Sequence, residues 1–357
     1  MRILIVKLSS IGDVLMATPV AQALREQYPR AFIAWLVEEA FQDVVQGNPY
    51  LDEVLVWPRQ SLWEPLLRGG RWGTLIRELG RFQQQLRTYR FEVALDLQGL
   101  LKSALLAWLS GAPRRLGPAG AREGSQLLYT ERLYDQPELT RTKLYLGLIE
   151  PLVPFRDLPM TLPLGEGDRA FAGEFLTAHG VDEDTPLAAL CPTTTRPQKQ
   201  WVEDYWADLV LALGEQLGMR SVVLGGPKDR ALAERLRAKV QERRAKGKGG
   251  DFPLLSAVGQ TTLKQAGALI ERAQVCMGVD TGLMHFGLAV GTPTIALFGS
   301  TSPRRLGDEP NVIVLNRHLS CAPCGRHPTC QGRYDCMRGI TVEEVLTAAK
   351  QLLNRSG

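Results

Sequence analysis

The sequence predicts an α/β protein built from two doubly wound, Rossmann-like domains. Three observations lead there. The chain has 357 residues, too long for one ordinary core and suited to two. Short apolar runs alternate with helix-length segments, twice over. The runs are mostly continuous, as expected of parallel strands buried on both faces.

In the first half the runs are Arg2–Val6, Ala31–Val37, Glu53–Val56 and Glu92–Leu95. Between the first two, Val14, Leu15, Ala21 and Leu24 keep a helical spacing, which gives a βαβ beginning. A second series starts near Pro186, with strands at Leu187–Cys191, Ser221–Leu224, Gln274–Val279 and Thr294–Phe298. Helical stretches such as Glu203–Leu217 and Ala231–Lys239 separate them. The join lies in Leu152–Asp184, rich in Pro, Gly and Asp, so the domains are set at 1–170 and 185–340. Arg243–Asp251 is basic and glycine-rich and reads as a surface loop. A last helix, 341–357, starts at Thr341, which forms a capping box with Glu344. In a two-domain protein of this kind such a helix can cross back to the first domain.

With 45% hydrophobic and 22% charged residues, the composition is that of a soluble globular protein. No stretch is apolar for long enough to span a bilayer. The N-terminal MRILIVKLSSIGDVLMA is interrupted by Lys7 and Asp13, so it reads as strand, loop and helix start rather than a signal peptide. A cytoplasmic location is the expectation. Net charge is a mild +4 but unevenly spread. Seven arginines (59, 68, 71, 77, 81, 87 and 90) fall between Arg59 and Arg90, against only Glu64 and Glu78. A bare run of this kind reads first as a solvated helix face, and second as a surface for an anionic partner. No recognition motif accompanies it, so nucleic acid is not expected.

Ligands of open α/β sheets bind beyond the carboxyl ends of the strands, and the strongest motifs lie there. KLSSIGDVLMATP, residues 7–19, follows the first strand and brings Ser9, Ser10, Gly12 and Asp13 to a strand-to-helix turn. It is neither a dinucleotide fingerprint nor a P-loop. An isolated Asp there is ordinarily a helix N-terminal charge. Facing a cleft, it would instead take a proton from an acceptor hydroxyl. CPTTTRPQKQW, 191–201, places three threonines, an arginine and Lys199 in one loop. Hydroxyls, backbone N–H groups and an ammonium suit a phosphate; the bland alternative is a polar turn. In GVDTGLMHFGLAVGTPTIALFG, 278–299, a strand ends near Asp280 and Thr281-Gly282 turns into a helix carrying His285. Gly282 lets a ligand approach the backbone, the helix N-terminus favours pyrophosphate, and Asp280 suits sugar hydroxyls. A lone His285 would be a packing histidine. LGGPKDR, 224–230, offers Asp229 to a ribose, or is an ordinary turn.

Together, KLSSIGDV, DLQGLLKSA at 96–104 and VDTGLMH at 279–285 resemble glycosyltransferase family 9, the ADP-heptose:lipopolysaccharide heptosyltransferases, over nearly the whole chain. LVEEAF at 36–41, AREGSQLLY at 121–129 and TTRPQKQW at 194–201 are similar to the type I subfamily, which adds the first heptose to Kdo-lipid A. The resemblance implies a GT-B fold, with two Rossmann-like domains facing across a cleft, an acceptor-binding N-terminal half and a nucleotide-sugar-binding C-terminal half. It implies Asp13 as catalytic base, with Ser10, Gly12 and Arg122 toward the acceptor. For the donor, ADP-heptose, it implies Thr194, Thr195, Lys199, Asp229, Thr261, Asp280, Thr281, Gly282 and His285. Asp229 stands where the family usually has Glu. Transfer would be inverting and would require no metal ion or cofactor. The acceptor would be an anionic glycolipid, Kdo-lipid A, met at the inner face of the cytoplasmic membrane.

The late cysteines, Cys321-x2-Cys324-x5-Cys330-x5-Cys336, look more like type II members. In a reducing compartment such a cluster suggests structural zinc or iron over disulfides, and free or packing thiols stand beside that reading. Cys191 and Cys276 look like small core residues. Three other functions stay open at this stage: a type II-like transfer to a heptosylated acceptor, a nucleotide-sugar epimerase, and a non-catalytic binder of anionic glycolipid.

Overall fold

The computed structural model describes residues 1–133, 140–247, 250–303, 306 and 310–356. The chain divides into two compact units, Met1–Pro163 and Leu164–Gly357.

In the first unit the elements are β1 (Arg2–Val6), α1 (Ile11–Met16), α2 (Pro19–Gln27), β2 (Phe32–Glu38), β3 (Glu53–Trp57), α3 (Glu64–Arg68), α4 (Trp72–Thr88), β4 (Val93–Asp96), α5 (Leu101–Leu109), β5 (Arg114–Pro118), β6 (Glu131–Leu133) and α6 (Arg141–Leu148). The strands form one parallel sheet in the order β3-β2-β1-β4-β5-β6. Ile3 to Val6 are fully buried, because β1 is central and covered on both faces, which explains its unbroken apolar run. The single helix read between β1 and β2 is two: Pro19 opens α2 at a position where its missing N–H costs nothing. Gly117 in β5 leaves room for the ring of Tyr129, since a Cβ there would sit 2.3 Å from Cζ.

In the second unit the elements are α7 (Glu166–Ala178), β7 (Leu187–Cys191), α8 (Glu203–Leu217), β8 (Arg220–Val223), α9 (Arg230–Ala245), β9 (Leu254–Ser256), α10 (Leu263–Arg272), β10 (Val275–Val279), α11 (Gly282–Val290), β11 (Thr294–Phe298), β12 (Val312–Asn316), α12 (Asp335–Arg338) and α13 (Val342–Ser356). Its parallel sheet runs β12-β11-β10-β7-β8-β9. Numbered within each unit, both sheets therefore follow the same order, 3-2-1-4-5-6, and both reverse direction beside their first strand. That reversal is the topological switch point where doubly wound sheets bind ligands. It falls between β1 and β4 in one unit and between β7 and β10 in the other.

Helix ends follow local chemistry. Acidic Glu203 and Asp204 open α8 and Gly218 closes it in a left-handed conformation. Thr262 and Gln265 cap α10 reciprocally, as Thr341 and Glu344 cap α13. The apolar side of α13, including Val345, Ala349 and Leu352, joins the core cluster that holds Trp206 and Val210 of α8. The loop read at Arg243–Asp251 is corrected in part: α9 continues to Ala245, where Arg243 is held by Asp204 and Asp208, and residues 248–249 lie outside the described ones. Cys191 and Cys276 are buried core residues.

Candidate active site

In unit 1 the chain leaves β1 through Lys7 and Leu8, both buried, and turns at Ser9 and Ser10 into α1. Ser9 and Gln98, the latter on the loop after β4, exchange two hydrogen bonds: Ser9 N donates to Oε1 and Gln98 Nε2 donates to Ser9 Oγ. The two loops that flank the switch point are thus tied together. The Ser10 hydroxyl donates to Asp13 Oδ2 at 3.1 Å. Gly12 is buried beneath this turn, while the Asp13 side chain keeps 33% of its surface open. Arg141 Nε, from α6, lies 3.9 Å from Asp13 Oδ1.

Two further ionisable groups stand behind Asp13. Burial pushes the Lys7 ammonium down to about 8, against the attraction of Asp13, while the charge of Arg141 adds to the fall. Asp96, at the end of β4, has no exposed surface. Burial pushes its carboxyl up, although Tyr129 Oη, Ser103 Oγ and the backbone N–H groups of Gln98 and Gly99 all donate to it. Arg122 reaches the same region through its backbone: its N–H donates to Gly99 O, and its side chain is exposed. Ser10, Gly12 and Asp13 therefore share one turn, and Arg122 joins it through the Gly99–Gln98–Ser9 chain of bonds. Lys7, Asp96, Gln98 and Arg141 received no role from the sequence. Only the first three lie in motifs that could have signalled them.

In unit 2 the loop after β7 runs from buried Thr193 through half-buried Thr194 and exposed Thr195 to Lys199. Lys199 Nζ lies 2.6 Å from Asp280 Oδ2 and donates to Asp280 O at 3.3 Å. Thr301 Oγ1 donates to Asp280 Oδ2 at 2.6 Å, and His285 Nε2 is 3.8 Å from Oδ1. Burial alone would raise the Asp280 carboxyl. The nearby His285 and the charge of Lys199 outweigh that and hold it well below the usual carboxylate range. In this arrangement Asp280 orients Lys199 instead of presenting a free carboxylate, and His285, buried on α11, stands beside that pair. Thr301 was not singled out from sequence.

Thr281 precedes the first turn of α11, and no side chain caps it, so the early N–H groups of Gly282 and its neighbours have no helical acceptor. Asp229 turns its Oδ2 to Gly226 N at 2.8 Å and opens α9. Gly225 permits this loop to press against the first: a Cβ there would meet Thr193 Cγ2 at 2.9 Å. Gly259 N in turn donates to Gly225 O, which brings the Thr261 segment alongside. The loops after β7, β8, β9 and β10 thus form one contiguous polar surface.

The late cysteines line a cavity of about 110 Å³ together with Gln198 and Ser300. Gln198 Nε2 donates to Gly325 O, and Gly325 N to Ser300 O, so this segment braces the neighbours of Lys199 and Thr301. Burial and the nearby Cys324 push the Cys336 thiol up. The expected zinc or iron site finds no support in the arrangement. Among the described residues no three Cys, His, Asp or Glu side chains are gathered to hold a metal ion. Cys321 is exposed and Cys336 buried, although all four thiols line the same cavity.

Both units thus place their polar groups at switch points, an accessible carboxylate in one and a partly buried cation beside a helix N-terminus in the other. A match over residues 79–334 to the family described as "Glycosyltransferase family 9 (heptosyltransferase)" settles the relationship. The chain belongs to glycosyltransferase family 9. This family 9 enzyme is 30% identical over 339 residues to lipopolysaccharide heptosyltransferase 1 of Pseudomonas aeruginosa, covering 91% of this chain and 86% of that one. It is 26% identical to lipopolysaccharide heptosyltransferase 2 of Salmonella typhimurium, covering 100% of both chains. Among solved structures, the family 9 glycosyltransferase of Veillonella parvula superposes with a TM-score of 0.84 at 23% identity, covering 99% of this chain and 97% of that one. The fold is accordingly that of the GT-B heptosyltransferases. Among the described residues no helix is long and apolar enough to cross a membrane.

Proposed function

We propose that this chain moves L-glycero-D-manno-heptose from ADP-heptose to the Kdo of Kdo-lipid A in lipopolysaccharide inner-core synthesis. The observation that carries the chemistry is the Lys199–Asp280–Thr301 group beside the open first turn of α11. An ammonium fixed by a buried carboxylate, next to helix N–H groups that have no side-chain cap, suits the charge that builds on a departing diphosphate. Thr194, Thr195, Thr281 and Gly282 lie in the same loops and would share that charge. Asp229 and Thr261 would flank the nucleoside.

Asp13 then serves as general base. It draws the proton from the acceptor hydroxyl as that oxygen attacks C1 of the heptose, the C1–O bond to ADP breaks, and the anomeric centre inverts. Ser10 and Arg141 hold the Asp13 carboxylate in place, and Ser10, Gly12 and Arg122 meet the acceptor. The arginines of α3 and α4 give the same unit a positive face toward an anionic glycolipid at the inner membrane surface. A second reading has one observation in its favour. The end-to-end likeness to heptosyltransferase 2 is consistent with a heptosylated acceptor instead.

Incubation with ADP-heptose and Kdo-lipid A, following ADP release and product mass, tests this. Acceptor-dependent ADP release with a one-heptose mass gain is expected. Transfer only to an already heptosylated acceptor would replace the first step by the second, and no ADP-heptose binding would overturn both.

A further inference from the structure

The outer surface of unit 1 carries apolar groups that its own core does not use. Helix α5 turns Ala104, Leu106, Ala107 and Leu109 into the core. Its opposite ridge, Leu101, Leu105 and Trp108, follows the i, i+4, i+7 spacing of one helix face and is exposed, Trp108 by 45%. The Ser125–Leu128 turn packs against α5 and leaves Leu127 81% exposed. Helix α4 lies beside α5 and shares its core, through Leu86 and Leu106. On its outer side Trp72 is 61% and Ile76 70% exposed, next to exposed Leu67 of α3. Every large exposed apolar side chain among the described residues lies in unit 1, and most lie on these elements. Arg68, Arg71, Arg77, Arg81 and Arg87 are exposed around them. The acids between Arg59 and Arg90 are Glu64, paired with Arg59 and Arg68, and Glu78, paired with Arg77 and Arg81, which leaves Arg71, Arg87 and Arg90 in excess over them.

We infer that the outer face of α3, α4 and α5 docks on an anionic lipid bilayer. Trp72, Ile76, Leu105 and Trp108 enter the headgroup layer, and Arg68, Arg71, Arg77 and Arg81 meet lipid phosphates. The charge excess selects this occupant: a second copy would bring like charge against like, whereas an anionic leaflet complements it. Tryptophans with aliphatic neighbours and a basic rim suit attachment in the plane of the interface. The docking has its use in the proposed transfer to a membrane-held acceptor and rests on that reading for its purpose. It is measured with neither donor nor acceptor present.

The test is flotation of the full chain with vesicles of phosphatidylethanolamine and phosphatidylglycerol, and with phosphatidylcholine alone. The wild type should float with the anionic vesicles, less so at high salt, with a blue shift of tryptophan emission. Trp72→Ser/Ile76→Ser and, independently, Leu105→Ser/Trp108→Ser should each lower partitioning roughly tenfold while retaining the wild-type melting temperature and turnover of a deacylated acceptor. Equal flotation of wild type and both variants, or equal flotation with both vesicle types, would overturn the inference. So would a lipid-free dimer that either variant dissociates. Vesicle binding that persists in a chain unable to bind ADP-heptose would sustain the docking face while removing the proposed reaction.

Discussion

Lys199 and Asp280 are 81 positions apart in sequence, yet their charged atoms meet at 2.6 Å with both side chains largely removed from solvent. The contact joins the loop after β7 to the loop after β10 across the switch point of unit 2. Removing one partner strands the other charge, which costs about 3–5 kcal/mol in comparable buried pairs. Lys199→Met should therefore lose both stability and ADP affinity. The double variant Lys199→Met/Asp280→Asn should regain much of the stability and none of the affinity. Chemical unfolding and calorimetric ADP titration check this, and a single variant that binds ADP like the wild type would remove Lys199 from the phosphate site.

The same pair makes a prediction for acid. The Asp280 carboxyl titrates lower in the folded chain than in the unfolded one. Its contribution to stability is then complete above the unfolded value of about 3.9 and is lost as pH falls from there toward the folded value. Unfolding free energies measured from pH 6 downward should drop more steeply below about pH 4 in the wild type than in Asp280→Asn. Parallel curves would mean that the pair does not set the acid limit.

For Lys7 the slope has the same sign but lies at alkaline pH. Its folded value of about 8 lies below the unfolded value of about 10.4. Between those limits the unfolded chain holds a proton that the folded one has released, so this residue makes stability rise with pH, by at most about 1.4 kcal/mol per unit. Denaturant titrations from pH 7 to 10.5 should show the rise in the wild type and not in Lys7→Met. An identical slope in both would mean that Lys7 stays charged throughout.

Asp13→Asn keeps the shape of the turn but cannot accept a proton. Transfer should fall by roughly 10²–10⁴-fold, the usual contribution of a general base, while ADP-heptose affinity stays within a few fold of the wild type. Equal loss of both would recast Asp13 as a binding residue. Arg141→Ala, which removes the charge 3.9 Å from Asp13, should weaken transfer less than Asp13→Asn does.

Strands with unbroken apolar runs, such as β1, β7 and β11, were legible because a central parallel strand has both faces to bury. β5 was not, because it opens on Arg114-Arg115 and closes on Gly117-Pro118 near the sheet edge. β6 and β9 have three residues each, too few to show a period. β12 carried a readable run, Val-Ile-Val-Leu, that the pattern around it obscured. Site residues placed just after strands were visible as motifs. What no motif could give was pairing between distant segments, such as Arg141 with Asp13 or Thr301 with Asp280. The cysteine spacing suggested a ligand set, yet spacing alone does not aim thiols at one point: all four line one cavity, and among the described residues no three such ligands are gathered to hold a metal ion.

The shared 3-2-1-4-5-6 strand order means that each unit frames its own polar loops around its own reversal point. On the proposed assignment of the acceptor to unit 1 and the ADP-sugar to unit 2, the two preferences would drift on separate evolutionary clocks, and a chimera exchanging one half between related chains is expected to inherit one specificity at a time.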